Sequence, residues 1–241
     1  MKTTDYIRDK VNSFEKGYVF TYEDFLTEVN KKEAVIKALN RMVASGKITK
    51  LSKGKYYKPE KTIFGDLAPS QYQVVKDLLE SNGKVIGYLT GYSIYSQFGF
   101  TTQVSNVIQI GRNDTRPSFK RGNYSIVFLR QKNTISKENN PLLQLLDIIK
   151  TIKKIPDCAI KEACYSLLIK LKEKSSEELK RLVKLSMNYP PSTRALLGVA
   201  LDEIEQDEIT QSLFESLNPI TSYDFVGAEQ VFKSTEKWNI K

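Results

Sequence analysis

The strongest constraint on the fold is a hydrophobic pattern that changes period repeatedly within residues 4–58. Tyr6, Ile7, Val11 and Phe14 recur at helical spacing and predict a helix over residues 4–15, stopped at Gly17. Tyr18, Val19 and Phe20 form a short apolar run of strand type. Thr21, followed by Glu23 and Asp24, has the chemistry of an N-cap with acids in the first turn, and predicts a short helix over residues 22–29. Asn30 can cap a third helix over residues 31–45, which Gly46 ends. In that helix Val35, Ile36, Leu39, Met42 and Val43 share one face. Residues 47–58 then alternate, turn at Ser52-Lys53-Gly54 and predict a β-hairpin closed by Pro59. Helix, strand, helix, helix, hairpin is the order of a winged helix-turn-helix. No single element is diagnostic, but the order and the tight spacing together are specific.

The pattern beyond residue 60 is different. A connecting helix is predicted over residues 62–82, with Pro69 near its start and Val74, Val75, Leu78 and Leu79 on its buried face. A strand over 84–89, a helix over 91–98 broken at Gly99, and strands over 107–110 and 124–129 follow. After Pro141 the periodicity is helical, over 142–152, 160–172, 176–188 and 192–203, with Pro190-Pro191 separating the last two. The chain is therefore expected to be α+β in three parts. These are a winged helix over residues 1–60, a small mixed α/β unit over 61–138 and a mainly helical region over 139–241.

Charge is distributed unevenly. The formal net charge is +9, and residues 31–58 hold nine Lys and Arg against the single Glu33. A polyanion responds to such a local excess, whereas residues 141–241 are close to neutral. A recognition helix needs an apolar back and a polar front. Here the front carries Lys37, Asn40 and Arg41, where Arg suits guanine and Asn suits adenine. Lys50, Lys53 and Lys55 around the hairpin turn suit phosphate contact. Backbone N–H groups at Thr21 and Tyr22, opening the second helix, could also meet a phosphate. The plainer alternative is a solvated amphipathic helix with lysines guarding exposed strand edges. The basic segment Arg112–Arg121 fits a solvated loop, and the aromatics Tyr88, Tyr92, Tyr95, Phe98 and Phe100 fit core packing.

Several function classes are disfavoured by composition. The chain has no His and two Cys, which removes a disulfide framework, a four-ligand zinc site and His-dependent nucleophile pairs. Cys158 and Cys164 lie in an apolar helical stretch and are expected to be buried free thiols. The acidic run Asp202–Glu208 could hold a divalent metal, but helical phasing favours a solvated face. Neither a P-loop nor a G-x-G-x-x-G fingerprint occurs, nor the Gly-Ser and Asp-x-Asp pattern of a nucleotidyltransferase. The expectation is a non-enzyme without cofactor or metal. The opening residues lack a signal-peptide core, and no run approaches the roughly 20 apolar residues of a membrane span, so a cytoplasmic location is expected.

The stretches GYVFTYEDF (17–25), ALNRMVASGKI (38–48) and GKYY (54–57) resemble the winged-helix part of AbiEi-type antitoxins of type IV, abortive-infection toxin–antitoxin systems. The stretch GYLTGYSIYSQFGF (87–100), continuing through Ile110 and Gly111, resembles that family's middle domain and is the more specific part. The resemblance spans roughly residues 5–135. It implies a protein that represses its own operon by binding inverted repeats in double-stranded promoter DNA. It also implies functional pairing with a nucleotidyltransferase-like toxin encoded beside it, with or without a stable direct complex, and no catalysis of its own. The rival reading is a protein-interaction module that uses the winged helix and the helical carboxy-terminal region to bind a partner protein.

Overall fold

The computed structural model describes residues 3–26, 29, 31–63 and 65–241, and shows a mixed α/β chain of helices and small sheets. It divides into two compact units, one of residues 1–78 with 119–125 and the other of residues 79–118 with 126–241. The segment expected to stand alone over residues 61–138 is therefore shared between the two.

The first unit opens with α1 (Thr3–Ser13), β1 (Val19–Thr21) and a single 3-10 turn at Tyr22–Phe25, followed by α2 (Lys32–Ala44), β2 (Thr49–Ser52) and β3 (Lys55–Tyr57). The strands form an antiparallel sheet in the order β1-β3-β2. Lys53 and Gly54 make the two-residue connection, where Gly54 takes φ +75°, a conformation that favours glycine. Ile7 and Val11 of α1, Phe20 of β1, Phe25, and Val35 and Leu39 of α2 are buried together with Ile48 and Tyr56. Phe14 packs on this cluster, with its ring 4.9 Å from that of Phe20.

Two expectations change here. The helix expected over 22–29 is a four-residue turn, Leu26 is a turn residue and Val29 lies in no regular element. The expected cap Asn30 lies outside the described residues, and α2 starts after Lys31 with no side-chain cap. The helix expected from residue 62 is instead a hairpin of β4 (Glu60–Thr62) and β5 (Gly65–Leu67), and α3 (Gln71–Leu79) begins only after Pro69. The ring of Pro69 keeps the residue before it out of helical space, so the helix cannot start earlier.

The second unit contains a short hairpin, β6 (Glu80–Ser81) with β7 (Lys84–Val85), then β8 (Tyr88–Thr90), α4 (Tyr92–Tyr95) and β9 (Val107–Arg112). The β10 (Phe119–Arg121) and β11 (Tyr124–Arg130) hairpin follows, its tip grouped with the first unit. β8 pairs antiparallel with β9, setting Tyr88 opposite Gly111 and Thr90 opposite Gln109. The rest is helical, with α5 (Asn140–Lys150), α6 (Ile160–Lys172), α7 (Ser176–Ser186), α8 (Pro191–Glu203) and α9 (Asp207–Glu215). The helix α9 lies in a stretch that hydrophobic periodicity left unassigned.

α8 is the centre of this bundle, with every residue from Ala195 to Leu201 buried. Gly198 has a steric reason: a Cβ there would lie 2.1 Å from the ring of Trp238, so the bare backbone lets the six-membered ring of the indole press against the helix. Trp238 is 1% exposed and donates its Nε1–H to Asp202 over 2.7 Å. Asp202 also accepts from Lys237 and Thr210, so this member of the acidic run anchors the carboxy-terminal segment and is not on a solvated face. No group of three carboxylate or thiol side chains suited to a metal ion occurs among the described residues. Cys164 is buried, and burial pushes its thiol up to about 12. Cys158 departs from expectation, being only partly buried and lying before α6 begins. Among the described residues no helix is long and apolar enough to cross a membrane.

Candidate nucleic-acid interface

α2 is amphipathic because its apolar residues recur every three or four positions. Val35, Ala38 and Leu39 are buried against the first unit's core, and the same phasing leaves Lys37, Asn40 and Arg41 exposed on the opposite face. Lys37 and Arg41 make no ion pair among the described residues, so both charges face water. Asn40 is held more firmly: its Oδ1 accepts from the hydroxyl of Tyr56 at 3.2 Å. Tyr56 is 3% exposed and sits on β3, so this bond ties the exposed face of the helix to the sheet. It also turns the amide Nδ2 of Asn40, a donor pair, toward solvent.

On the hairpin, Lys50 and Lys53 are exposed, with no ion pair among the described residues. The register shifts between Lys50 and Ser52, a bulge that twists the edge strand near its turn. These five side chains are exposed on α2 and on the β2–β3 hairpin of one unit.

Lys55 and Thr21, expected at this surface, are engaged elsewhere, and the side chain of Tyr22 has partners of its own. The side chain of Lys55 is 18% exposed, and its ammonium lies 3.2 Å from Asp77 of α3. An ammonium already paired inside its own unit is a poor phosphate ligand. Thr21 closes a capping box: its N–H donates to Asp24 Oδ2 at 2.7 Å, and its Oγ1 accepts from the N–H of Glu23 at 3.1 Å. Its donor is therefore satisfied, and the carboxylates of Glu23 and Asp24 stand where a phosphate would have to approach. Tyr22 donates its hydroxyl to Glu23 and lies beneath the Lys32 ammonium, 4.5 Å from the ring centre.

The sequence reading missed what steadies the hairpin. Arg121, expected as part of a loop, is 8% exposed and grips Asp77 through both guanidinium nitrogens, at 2.6 and 3.1 Å, while also donating to the carbonyl of Val74. Burial pushes the Asp77 carboxyl up, but hydrogen bonds and charge from Arg121 and then Lys55 outweigh it and hold the group below the usual carboxylate range. Beside Arg121, Gly122 takes φ +56° and comes so close to the backbone carbonyl of Leu51 that a Cβ would lie 3.3 Å away. Asp77 thus links α3, the β10–β11 tip and Lys55 of the hairpin. Asp77 is the one acid of α3, but its partner lies 44 residues away and has no local mark. The other arginines of that loop are also engaged, with Arg112 and Arg116 both bonded to Asp114, at 2.5 and 2.8 Å.

The family model described as a family of unknown function, DUF6088, matches residues 6–182. The chain belongs to the DUF6088 family. The match covers all of the surface just described and much of the second unit. No curated protein matches the chain. Among solved structures, the chain is similar to the RV2827C protein from Mycobacterium tuberculosis, with a TM-score of 0.61 and 13% identity over 98% of this chain and 89% of that one. At that identity the likeness concerns the fold.

Proposed function

We propose that this DUF6088 protein is a sequence-specific DNA-binding repressor whose first unit is a winged helix, and that it serves as the antitoxin of a toxin–antitoxin operon. The element order and the β1-β3-β2 antiparallel sheet are those of a winged helix, with α2 as recognition helix and the β2–β3 hairpin as wing. The observation that carries the reading is the exposed polar face of α2, on which Lys37 and Arg41 have no ion pair among the described residues. Lys37, Asn40 and Arg41 project from a helix whose other face is locked into the core, and Asn40 is oriented by Tyr56. Arg41 and Asn40 read base edges, Lys37 assists them, and Lys50 and Lys53 meet phosphates. Lys55, through Asp77, positions the wing and does not touch DNA. The antitoxin role rests on the resemblance of residues 87–111 to the AbiEi type. It carries with it an operator of inverted repeats and a nucleotidyltransferase-like toxin.

The test is fluorescence anisotropy with a duplex from the gene's own upstream region, beside a scrambled duplex, across a salt series. The expected result is a preference of roughly a hundredfold or more for the native duplex, with affinity falling steeply as salt rises. Arg41→Ala should cost about 1–3 kcal/mol on the native duplex and relax base preference. Weak, equal binding to both duplexes would transfer the case to the protein-interaction reading.

A further inference from the structure

The second unit contains a polar assembly that the DNA-binding reading does not use. Asp147 of α5 accepts three hydroxyl hydrogen bonds, from Tyr88 at 2.8 Å and Thr90 at 2.6 Å on Oδ2, and from Tyr189 at 2.8 Å on Oδ1. Gln131 donates to both tyrosine hydroxyls, at 2.7 and 2.9 Å, which points their protons at the carboxylate. A carboxylate has about four lone-pair sites. Three are used, and the open one belongs to Oδ1.

Asp147 forms the floor of a cleft of about 240 Å³. Tyr92, packed edge-on to Tyr95 at 5.7 Å, and Leu129 supply apolar wall. Two glycines make the polar lining possible. A Cβ on Gly91 would lie 1.8 Å from Oε1 of Gln109, and one on Gly111 would lie 2.5 Å from the ring of Tyr88. Arg130, Lys150 and Lys154 stand exposed at the rim, with no ion pair among the described residues. An adjoining recess shares Arg130, Gln131, Asp147 and Lys150, and adds Lys132 and Arg194. The Nε of Arg194 is buried there without a hydrogen-bond partner among the described residues.

Residues 141–241 are close to electroneutral, yet this cleft and its adjoining recess bring Arg130, Lys132, Lys150, Lys154 and Arg194 around a single carboxylate. Unpaired cations beside a low-dielectric recess attract a multivalent anion. An aromatic wall and a carboxylate with a free acceptor site call for a flat ring and a donor such as a sugar hydroxyl or an exocyclic amine. We propose that this cleft binds a nucleoside phosphate, with its phosphates on Lys150, Arg130 and Lys154, its base against Tyr92 and a donor group on Asp147. The site lies within the second unit and does not depend on the first unit's binding DNA.

The test is isothermal titration calorimetry of the full chain with ATP, GTP, CTP and UTP in turn, and with inorganic tripolyphosphate. The expected result is saturable micromolar binding of at least one nucleotide, with tripolyphosphate about tenfold weaker or more. Lys150→Ala and Tyr92→Leu should each weaken binding by about tenfold, whereas Lys172→Ala, on α6, should leave it unchanged. Melting followed by the fluorescence of Trp238, which is buried in this unit, checks that each variant is folded. Lys150 is exposed, so its variant decides the matter even if Tyr92→Leu melts early. Absence of saturable binding by any nucleotide, tripolyphosphate binding as tightly as the best nucleotide, or wild-type affinity in Lys150→Ala would each overturn the proposal.

Discussion

Asp77 in the first unit and Asp147 in the second are both acids on largely apolar helices, and the protein neutralises them in opposite ways. Asp77 is clamped by Arg121 and Lys55, and the two cations hold its carboxyl below the usual range. Among the described residues the carboxylate of Asp147 has only hydroxyl donors, and burial raises its carboxyl despite the bonds from Thr90, Tyr88 and Tyr189 and the charge of Lys150. Ion pairs fix these elements together and compensate the carboxylate's charge in full. A carboxylate held by neutral donors stays destabilised in its charged form, and that imbalance is typical of groups that face a ligand. The contrast shows that an acid on an apolar helix can serve as a fastener in one unit and as the floor of a cleft in the other.

The sharpest way to break the comparison is to remove each acid's role in turn. Asp147→Leu would leave the Tyr88 and Thr90 hydroxyls without this acceptor and Tyr189 with only its 3.4 Å contact to the Leu143 carbonyl, and should destabilise the second unit by about 3–5 kcal/mol, read from urea unfolding followed by Trp238 fluorescence. A loss below 1 kcal/mol would mean that the hydroxyls find other acceptors and that the network is not a unit. Arg121→Met keeps apolar bulk but leaves Asp77 with Lys55 alone and removes a donor from the Val74 carbonyl. Because the side chain of Asp77 is 40% exposed, water relieves part of the cost, and the loss should be about 1–3 kcal/mol, confined to the first unit. Amide exchange that speeds up in α3 and the β2–β3 hairpin but not in α5 would bear this out, whereas uniform acceleration would contradict it. Tyr56→Phe deletes a single hydrogen bond to Asn40 and should cost about 0.5–1.5 kcal/mol. If Asn40 reads a base, the same change also lowers preference for the native duplex more than it lowers affinity for a scrambled one.

The smallest effect is the dependence on acid. Asp77 has a folded pKa below the unfolded 3.8, so its contribution is complete above pH 3.8 and disappears as pH falls through the folded value. Asp147 has a folded pKa above 3.8, so its ionisation penalty is absent below that pH and sets in as pH rises through the folded value. Lowering the pH from neutral toward 4 should therefore stabilise the second unit slightly. Asp147→Asn should remove that slope from the Trp238 melting curve, and an unchanged slope would assign it to another group.

Much of the first unit is legible in the sequence. The alternation of period through residues 4–58 places α1, β1, α2 and the hairpin to within a few residues, because each element buries its own apolar stripe locally. The exposure of Lys37, Asn40 and Arg41 follows from the same phasing. The engagement of Lys55 does not, because its partner Asp77 lies 22 residues away on α3, whereas the capping of Thr21 by Asp24 is a local pairing that the N-cap pattern already carries. The short hairpin at residues 60–67 also escapes a periodicity argument, being too brief to establish a period.

The second unit divides along the same line. Its helices announce themselves through long apolar periods, and α6 matches its expected bounds at residues 160–172. The tyrosines of residues 88–95 carry the composition of a core, and Tyr88 and Tyr95 are buried as that composition predicts. That their hydroxyls serve a carboxylate and line a cleft could not be read from spacing. Asp147 stands 57 residues from Thr90, 59 from Tyr88 and 42 from Tyr189. The sequence by itself determined which faces are apolar, which elements form and where cations concentrate, since these depend on residues three or four apart. Only the tertiary structure decided which charges are free and which are spent on a neighbour, because a hydrogen bond is made over 3 Å in space whatever the separation along the chain.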